Sequence, residues 1–284
     1  MLTNHDLKYH YHPAKGWIND PNGLCDFHGA HHVFYQHCPD SETPTGRQIW
    51  GHAVSEDFLH WHEAGVAIDA DQPYDCNGVW SGTAVIKDDC IYAFYASVGS
   101  DRRQTVSLAI SRDGYHFEKY AGNPIICDYP PEGSADFRDP AVMEEDGHFY
   151  MLVGSADTRK GSGNLLLYES ENLFDWRYSG VLREYPDSLS CECPSFVKTA
   201  DGYIVAVSNR PKNGGHYFEV MHGRFDGRSF EPDIVSHFQK GPDEYAGQIY
   251  TDSRGRAILI SWISGWKYQP RDKCIGCQIG RAHV

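Results

Sequence analysis

The sequence predicts an all-β fold, a five-bladed β-propeller with its last blade incomplete. Two interleaved repeats and the lack of helical periodicity predict it. Turn-plus-strand units recur at Gly29-Ala-His-His-Val-Phe-Tyr, Asp89-Cys-Ile-Tyr-Ala-Phe-Tyr, Gly147-His-Phe-Tyr-Met-Leu-Val, Gly202-Tyr-Ile-Val-Ala-Val and Gly255-Arg-Ala-Ile-Leu-Ile. Their turn positions lie 60, 58, 55 and 53 residues apart. A fixed period of this kind marks a repeat architecture. A second register of the same period reads Ser55-Glu-Asp-Phe-Leu-His-Trp61, Ser111-Arg-Asp-Gly-Tyr-His-Phe117 and Ser170-Glu-Asn-Leu-Phe-Asp-Trp176, with a looser copy at Phe225-Asp-Gly-Arg-Ser-Phe230. Asp, Asn and Gly supply the turns, and β-branched and aromatic residues fill the strands. Each unit has room for four short strands, the size of a propeller blade. A β-sandwich would not generate two interleaved registers.

Taken in order, each unit opens on a short polar motif ahead of its first turn. The first carries Trp17-Ile18-Asn19-Asp20-Pro21-Asn22-Gly23, the second Trp80-Ser81, and the third Arg138-Asp139-Pro140. The fourth carries Cys191-Glu192-Cys193-Pro194 and the fifth Tyr245-Ala246-Gly247-Gln248. Asp20 precedes Gly29 by nine residues, Asp139 precedes Gly147 by eight, and Glu192 precedes Gly202 by ten. This near-regularity reads as one architectural slot used three times. The innermost strands of a propeller all run the same way along the channel, so the three acids are expected to meet at one channel mouth. Three acids with aromatic walls suit a sugar.

Composition excludes other classes. The chain has 284 residues, enough for one packed domain, and a formal charge of −14 that would repel a phosphate backbone. No apolar run has membrane length, and residues 1–15 are too polar for a signal peptide. Nine cysteines without secretory context read as reduced thiols in a cytoplasmic protein. His10-Tyr-His12, His31-His32 and Cys191-Glu192-Cys193 have no partner at ligand spacing, and Cys274-Ile-Gly-Cys277 is a lone pair, so neither a metal nor another cofactor is expected. Gly161-Ser-Gly-Asn164 and Asn213-Gly-Gly215 follow no strand-to-helix pattern and read as loops, not phosphate cradles.

Hydrolysing a glycosidic bond takes two carboxyl groups, one ionised at the anomeric carbon and one protonating the leaving oxygen. A retaining enzyme holds them about 5–5.5 Å apart, so that the first forms a covalent intermediate. The cysteines flanking Glu192 favour its protonated form, and the Pro-Asn-Gly after Asp20 leaves that carboxylate open to donors. Spacing alone leaves the roles open.

Trp17-Ile-Asn-Asp-Pro-Asn-Gly23, Phe137-Arg-Asp-Pro140 and Glu192-Cys-Pro194 resemble the three signatures of glycoside hydrolase family 32, the β-fructofuranosidases. Phe34-Tyr-Gln36, Trp50-Gly-His-Ala53, Trp80-Ser-Gly82 and Ile258-Leu-Ile-Ser-Trp262 extend the resemblance over nearly the whole chain. It implies a retaining enzyme cleaving sucrose, sucrose-6-phosphate or short fructans, with Asp20 as nucleophile, Glu192 as acid/base and Asp139 as transition-state stabiliser. Asn19, Gln36, Trp80, Ser81 and Arg138 are implied to line the fructose subsite. Relatives often carry a tryptophan between the Gln36 and Trp50 positions. Here Pro39 to Ile49 has no aromatic residue. Two other readings are an arabinoside-cleaving propeller and a non-catalytic propeller scaffold.

Family members usually continue into a C-terminal β-sandwich, for which this chain has no counterpart. Residues 1–278 are read as the catalytic propeller, stopping within the fifth blade and short of a ring-closing strand. Ile279-Gly-Arg-Ala-His-Val284 is read as a non-native tail, because it translates a common sequencing-library adapter.

Overall fold

The computed structural model describes residues 10–237, 244–263 and 278–283, all strand or connection and no helix among them. Cys274 and Cys277 lie outside the described residues. Blade one is β1 (Trp17–Phe27), β2 (Ala30–Cys38), β3 (Ile49–Ser55) and β4 (His62–Ile68). Blade two is β5 (Gly78–Lys87), β6 (Cys90–Val98), β7 (Gln104–Ser111) and β8 (Phe117–Lys119). Blade three is β9 (Phe137–Glu145), β10 (His148–Asp157), β11 (Ser162–Ser170) and β12 (Arg177–Tyr185). Blade four is β13 (Ser188–Lys198), β14 (Tyr203–Pro211), β15 (Tyr217–Phe225) and β16 (Phe230–His237). The last sheet is β17 (Glu244–Thr251), β18 (Ala257–Ile263) and β19 (Gln278–His283).

The all-β propeller is therefore present. Among the described residues the complete blades number four where the repeats suggested five, because the last sheet has three strands, in the order β17-β18-β19. The turn register counts every first hairpin, whether or not the outer strands that complete a blade follow it.

Local chemistry explains both repeats. The first hairpins of blades one to three turn at His28-Gly29, Asp88-Asp89 and Asp146-Gly147, with φ between 48° and 85° at all six residues. Two consecutive left-handed residues make the turn whose twist matches a strand pair, which is why Gly and Asp recur there. The Ser-x-Asp register marks the link from third to fourth strand. Ser55 Oγ accepts from Phe58 N at 2.8 Å, and Asp57 Oδ1 accepts from Leu59 N and His60 N at 2.8 Å each. Ser111 with Asp113 and Ser170 with Asn172 repeat the arrangement.

The core lies between blades. Phe34 and Trp50 of blade one pack with Ile91 and Tyr95 of blade two, and Phe94 and Leu108 of blade two with Phe149 and Met151 of blade three. Leu152 and Leu165 meet Val205 and Met221, and Phe218 meets Ile249 and Leu259. Tyr250, Ile258 and Ile260 return to Ile18, Val33 and Tyr35 of blade one. Among the described residues the ring closes through this packing, with no exchanged strand, a correction to the expectation that closure would be missing. Side chains fasten the seam: Tyr250 OH lies 2.9 Å from His31 Nδ1, and Ser253 N donates to Asp26 Oδ2 at 3.0 Å.

Candidate active site

All five inner strands are interrupted by a bulge at the same height. In each, two residues face one on the neighbouring strand, leaving an unpaired residue and a local bend. The pairs are Asn19-Asp20 against Gln36, Trp80-Ser81 against Ala96, Asp139-Pro140 against Val153, Cys193-Pro194 against Val207, and Ala246-Gly247 against Ser261. Asp139, Cys193 and Ala246, first in their bulges, have φ of 60°, 46° and 52°. Non-glycine residues adopt this region uncommonly, and it costs energy that the surrounding ring must offset.

This register corrects the idea of one slot used three times. Glu192 sits just before its bulge, Asp139 is the first bulge residue, and Asp20 is the second. In a regular strand, neighbouring positions face opposite sides. The bulge removes that constraint and lets three successive positions on different blades aim at one space. The three acids thus hold distinct positions, which the spacings of ten, eight and nine residues do not order, because β1 carries a second bulge between Asn22 and Cys25.

The bonds follow these layers. Arg138, Glu192 and Tyr245 are all the residue before the bulge on three consecutive blades, and they form a chain. Arg138 Nη2 donates to Glu192 Oε1 at 2.7 Å, and Tyr245 OH donates to Glu192 Oε2 at 2.5 Å. Arg138 is itself held by Asp136 Oδ1 at 2.8 Å and Gln104 Oε1 at 3.0 Å. One layer on, Cys193 N donates to Asp139 Oδ2 at 2.8 Å. The Cys193 thiol lies 3.6 Å from an oxygen of Asp139 and 3.6 Å from an oxygen of Asp20. In the third layer, Ser81 Oγ donates to Asp20 Oδ2 at 3.1 Å.

Among the other residues expected at the site, Asn19 lines the cavity and accepts from Trp17 Nε1 at 2.8 Å. Gln36 is one step removed: with its amide assigned the orientation that satisfies both its oxygen and its nitrogen, it accepts from Ser81 N at 3.1 Å and donates to the Val79 carbonyl at 3.2 Å. Trp80 is half-buried, and its carbonyl accepts from Trp50 Nε1 at 2.9 Å. No direct contact ties Trp80 to the three acids among the described residues.

Asp20 and Glu192 border a cavity of about 520 Å³ lined also by Asn19, Arg210, Gly215, His216, Tyr245 and Trp262, while Asp139 is buried behind it and joined to them through Cys193 and Arg138. Trp262 stands edge-on to Trp17 at 6.1 Å, and His216 edge-on to Tyr245 at 5.1 Å, so the described aromatic wall comes from β1, the three-stranded sheet and the 213–216 loop.

Electrostatics invert one expectation. Burial pushes Asp20 up to about 6, against a hydrogen bond from Asn19 and with the Glu192 charge adding to the rise. Burial pushes Asp139 up to about 7, although Arg138 opposes it. Burial also acts on Glu192, but the Arg138 guanidinium, the Tyr245 hydroxyl and Arg210 outweigh it and hold Glu192 below its usual range. The flanking cysteines suggested the opposite. Its charged partners come from blades three and four and its hydroxyl partner from β17, which local sequence does not reveal. Three coupled carboxyls titrate as a unit.

Arg210, Tyr245, Cys193 and His216 were not singled out from the sequence as site residues. Tyr245 was visible as the fifth unit's counterpart of the acid motifs. Arg210 and His216 carry no motif; the β14–β15 hairpin brings them over the cavity.

Residues 10–279 match the family described as glycosyl hydrolases family 32, N-terminal domain. Sucrose-6-phosphate hydrolase of Escherichia coli is 35% identical over 278 residues, covering 91% of this chain and 57% of that protein. Levanase of Bacillus subtilis is 32% identical over 293 residues, covering 92% of this chain and 41% of that protein. The solved GH32 β-fructofuranosidase of Bombyx mori superposes with a TM-score of 0.83 at 29% identity, over 96% of this chain and 61% of that one. Sucrose-6-phosphate hydrolase of Lactobacillus gasseri superposes at 0.84 and 26% identity, over 99% and 62%. The chain spans less than two thirds of each of these relatives.

Proposed function

The chain belongs to glycosyl hydrolase family 32, and from that premise we propose that it is a retaining β-fructofuranosidase acting on sucrose, sucrose-6-phosphate or short fructans. The observation that carries the reading is that Asp20 and Glu192, from two blades, border one cavity, with Asp139 of a third joined to Asp20 through the Cys193 thiol and its neighbour Arg138 bonded to Glu192. Asp20, ionised above about pH 6, attacks the anomeric carbon of the fructosyl unit. Glu192, ionised in the free site, must take up a proton in the loaded one; the glycosidic C–O bond then breaks as Glu192 delivers that proton to the leaving oxygen. Water then attacks the fructosyl–Asp20 ester, giving its proton to Glu192 and restoring both groups. Asp139 takes hydrogen bonds from ring hydroxyls, with Arg138, Asn19, Gln36, Trp80 and Ser81 completing the subsite.

We also take the three-stranded sheet as the fifth blade of one catalytic propeller, since β17 touches both β13 and β1. A cytoplasmic location fits the thiol-rich composition, with seven described cysteines free. No described helix is long and apolar enough to cross a membrane.

The test is kcat/KM on sucrose, sucrose-6-phosphate and inulobiose, with an arabinoside as the contrast. Turnover of at least one fructoside well above the arabinoside is expected. Preference for the arabinoside over all three overturns the assignment.

A further inference from the structure

Glu192 cannot gain a proton without a change among its donors. Its Oε1 accepts from Arg138 at 2.7 Å, with Arg210 also 3.5 Å away, and its Oε2 accepts from Tyr245 OH at 2.5 Å. An ionised carboxylate only accepts hydrogen bonds, whereas a protonated one must also donate. A guanidinium has five donors and no acceptor, so Oε1, which faces the arginines, can accept in either state but cannot carry the proton. A phenol both donates and accepts. Tyr245 is thus the partner on the page that can satisfy either state by rotating its hydroxyl hydrogen.

We propose that Tyr245 is a positioning residue for Glu192, which makes Oε2 the oxygen that carries the proton to the leaving group. The proposal rests on the acid/base reading of Glu192 given above. In the loaded site Glu192 Oε2–H faces the scissile oxygen, with the Tyr245 oxygen as its alternative acceptor. As the C–O bond breaks, its electron pair stays on the leaving oxygen and the Oε2 proton moves there. The Tyr245 hydroxyl then turns to donate to the new carboxylate and keeps its own proton throughout. Burial and the Glu192 charge hold that phenol protonated well beyond its ordinary range.

Other groups also face Glu192. Arg138 and Asp139 approach from β9, Arg210 from β14, Asp20 from β1, His216 from the loop before β15, and Cys191 and Cys193 flank it on β13. Tyr245 is set apart by its direct bond to Oε2. Its place in the ring explains that bond, since it stands at the same register position as Glu192 on the next blade.

The experiment is the pH dependence of kcat/KM for Tyr245→Phe in the full chain, with thermal unfolding as the folding control. Losing a hydrogen bond to a carboxylate should move the alkaline limb, where the acid deprotonates, upward by about 1–2 pH units. Loss of kcat should be larger on sucrose than on an aryl fructoside whose leaving group needs little protonation. Replacing Tyr245 by 3-fluorotyrosine, a stronger donor, should move the same limb downward, and it decides the matter if the phenylalanine variant does not fold. A folded Tyr245→Phe enzyme with an unmoved limb and unchanged leaving-group dependence overturns the proposal while leaving the fructosidase reading intact. A wild-type chain that hydrolyses no fructoside overturns both.

Discussion

At the scale of single residues, Asp20 combines function with cost. Burial raises its carboxyl to about 6, so at pH 8 the fold carries a charge it would hold more easily in the unfolded chain. The sign follows from proton counts: between about pH 4 and 6 the folded state binds the extra proton, so stability falls as pH rises through that window. Asp20→Asn should therefore lose kcat by several powers of ten and yet raise stability at pH 8 by about 1–3 kcal/mol, read from urea midpoints. Equal or lower stability would show that Ser81, Asn19 and Cys193 fully compensate the charge. The same ionisation predicts that wild-type kcat/KM falls as pH drops below about 6, and a profile flat to pH 4.5 would contradict it. The identities of these acids were legible in the sequence, because each sits in a short motif at a repeat position. Their proton affinities were not: Arg138 and Tyr245 reach Glu192 from chain positions 54 and 53 residues away.

At the scale of elements, the recurring bulge does most to shape the site. Turns and strands could be read from Gly, Asp and aromatic patterning, and both repeat registers have physical counterparts in left-handed turn pairs and Ser-Asp loops. The bulges could not be read, since a two-against-one pairing depends on the partner strand. They explain why three acids at three different offsets gather through Cys193 and Arg138. Gly82, directly after the second bulge, shows the tolerance: a Cβ there would lie 1.9 Å from the Phe94 carbonyl oxygen. Gly82→Ala should cost about 1–3 kcal/mol of stability, as overpacking does, and should lower kcat/KM by displacing Ser81 from Asp20. A variant with wild-type urea midpoint and kinetics would show that β5 can shift without disturbing the site.

At the scale of the whole molecule, blade contacts make stability depend on acid. His32 and His52 stack at 5.1 Å with Nδ1 and Nε2 3.0 Å apart, between Phe34 and Tyr115 of neighbouring blades. Burial lowers His32 to about 4 and His52 to about 3. Both are neutral in the fold but charge in the unfolded chain near 6.5, so their stabilising contribution is full above that pH and is lost as pH falls toward 4 and 3. The thermal midpoint should drop across this window, and a His52→Phe variant should drop less; identical slopes would exclude the pair as the cause. The propeller itself was legible from the repeats, whereas the three-stranded last sheet and the seam at His31 and Tyr250 were not, because they depend on which distant surfaces meet. The central claim is that blade geometry makes Asp20 the nucleophile of a retaining reaction. It is tested most directly by acid-quenching the enzyme during turnover of a fructoside and mapping the adduct by mass spectrometry. The account predicts one fructosyl unit on the peptide containing Asp20, absent in Asp20→Asn. An active enzyme whose adduct maps to Glu192 or Asp139, or whose first product has the inverted anomeric configuration, would contradict it.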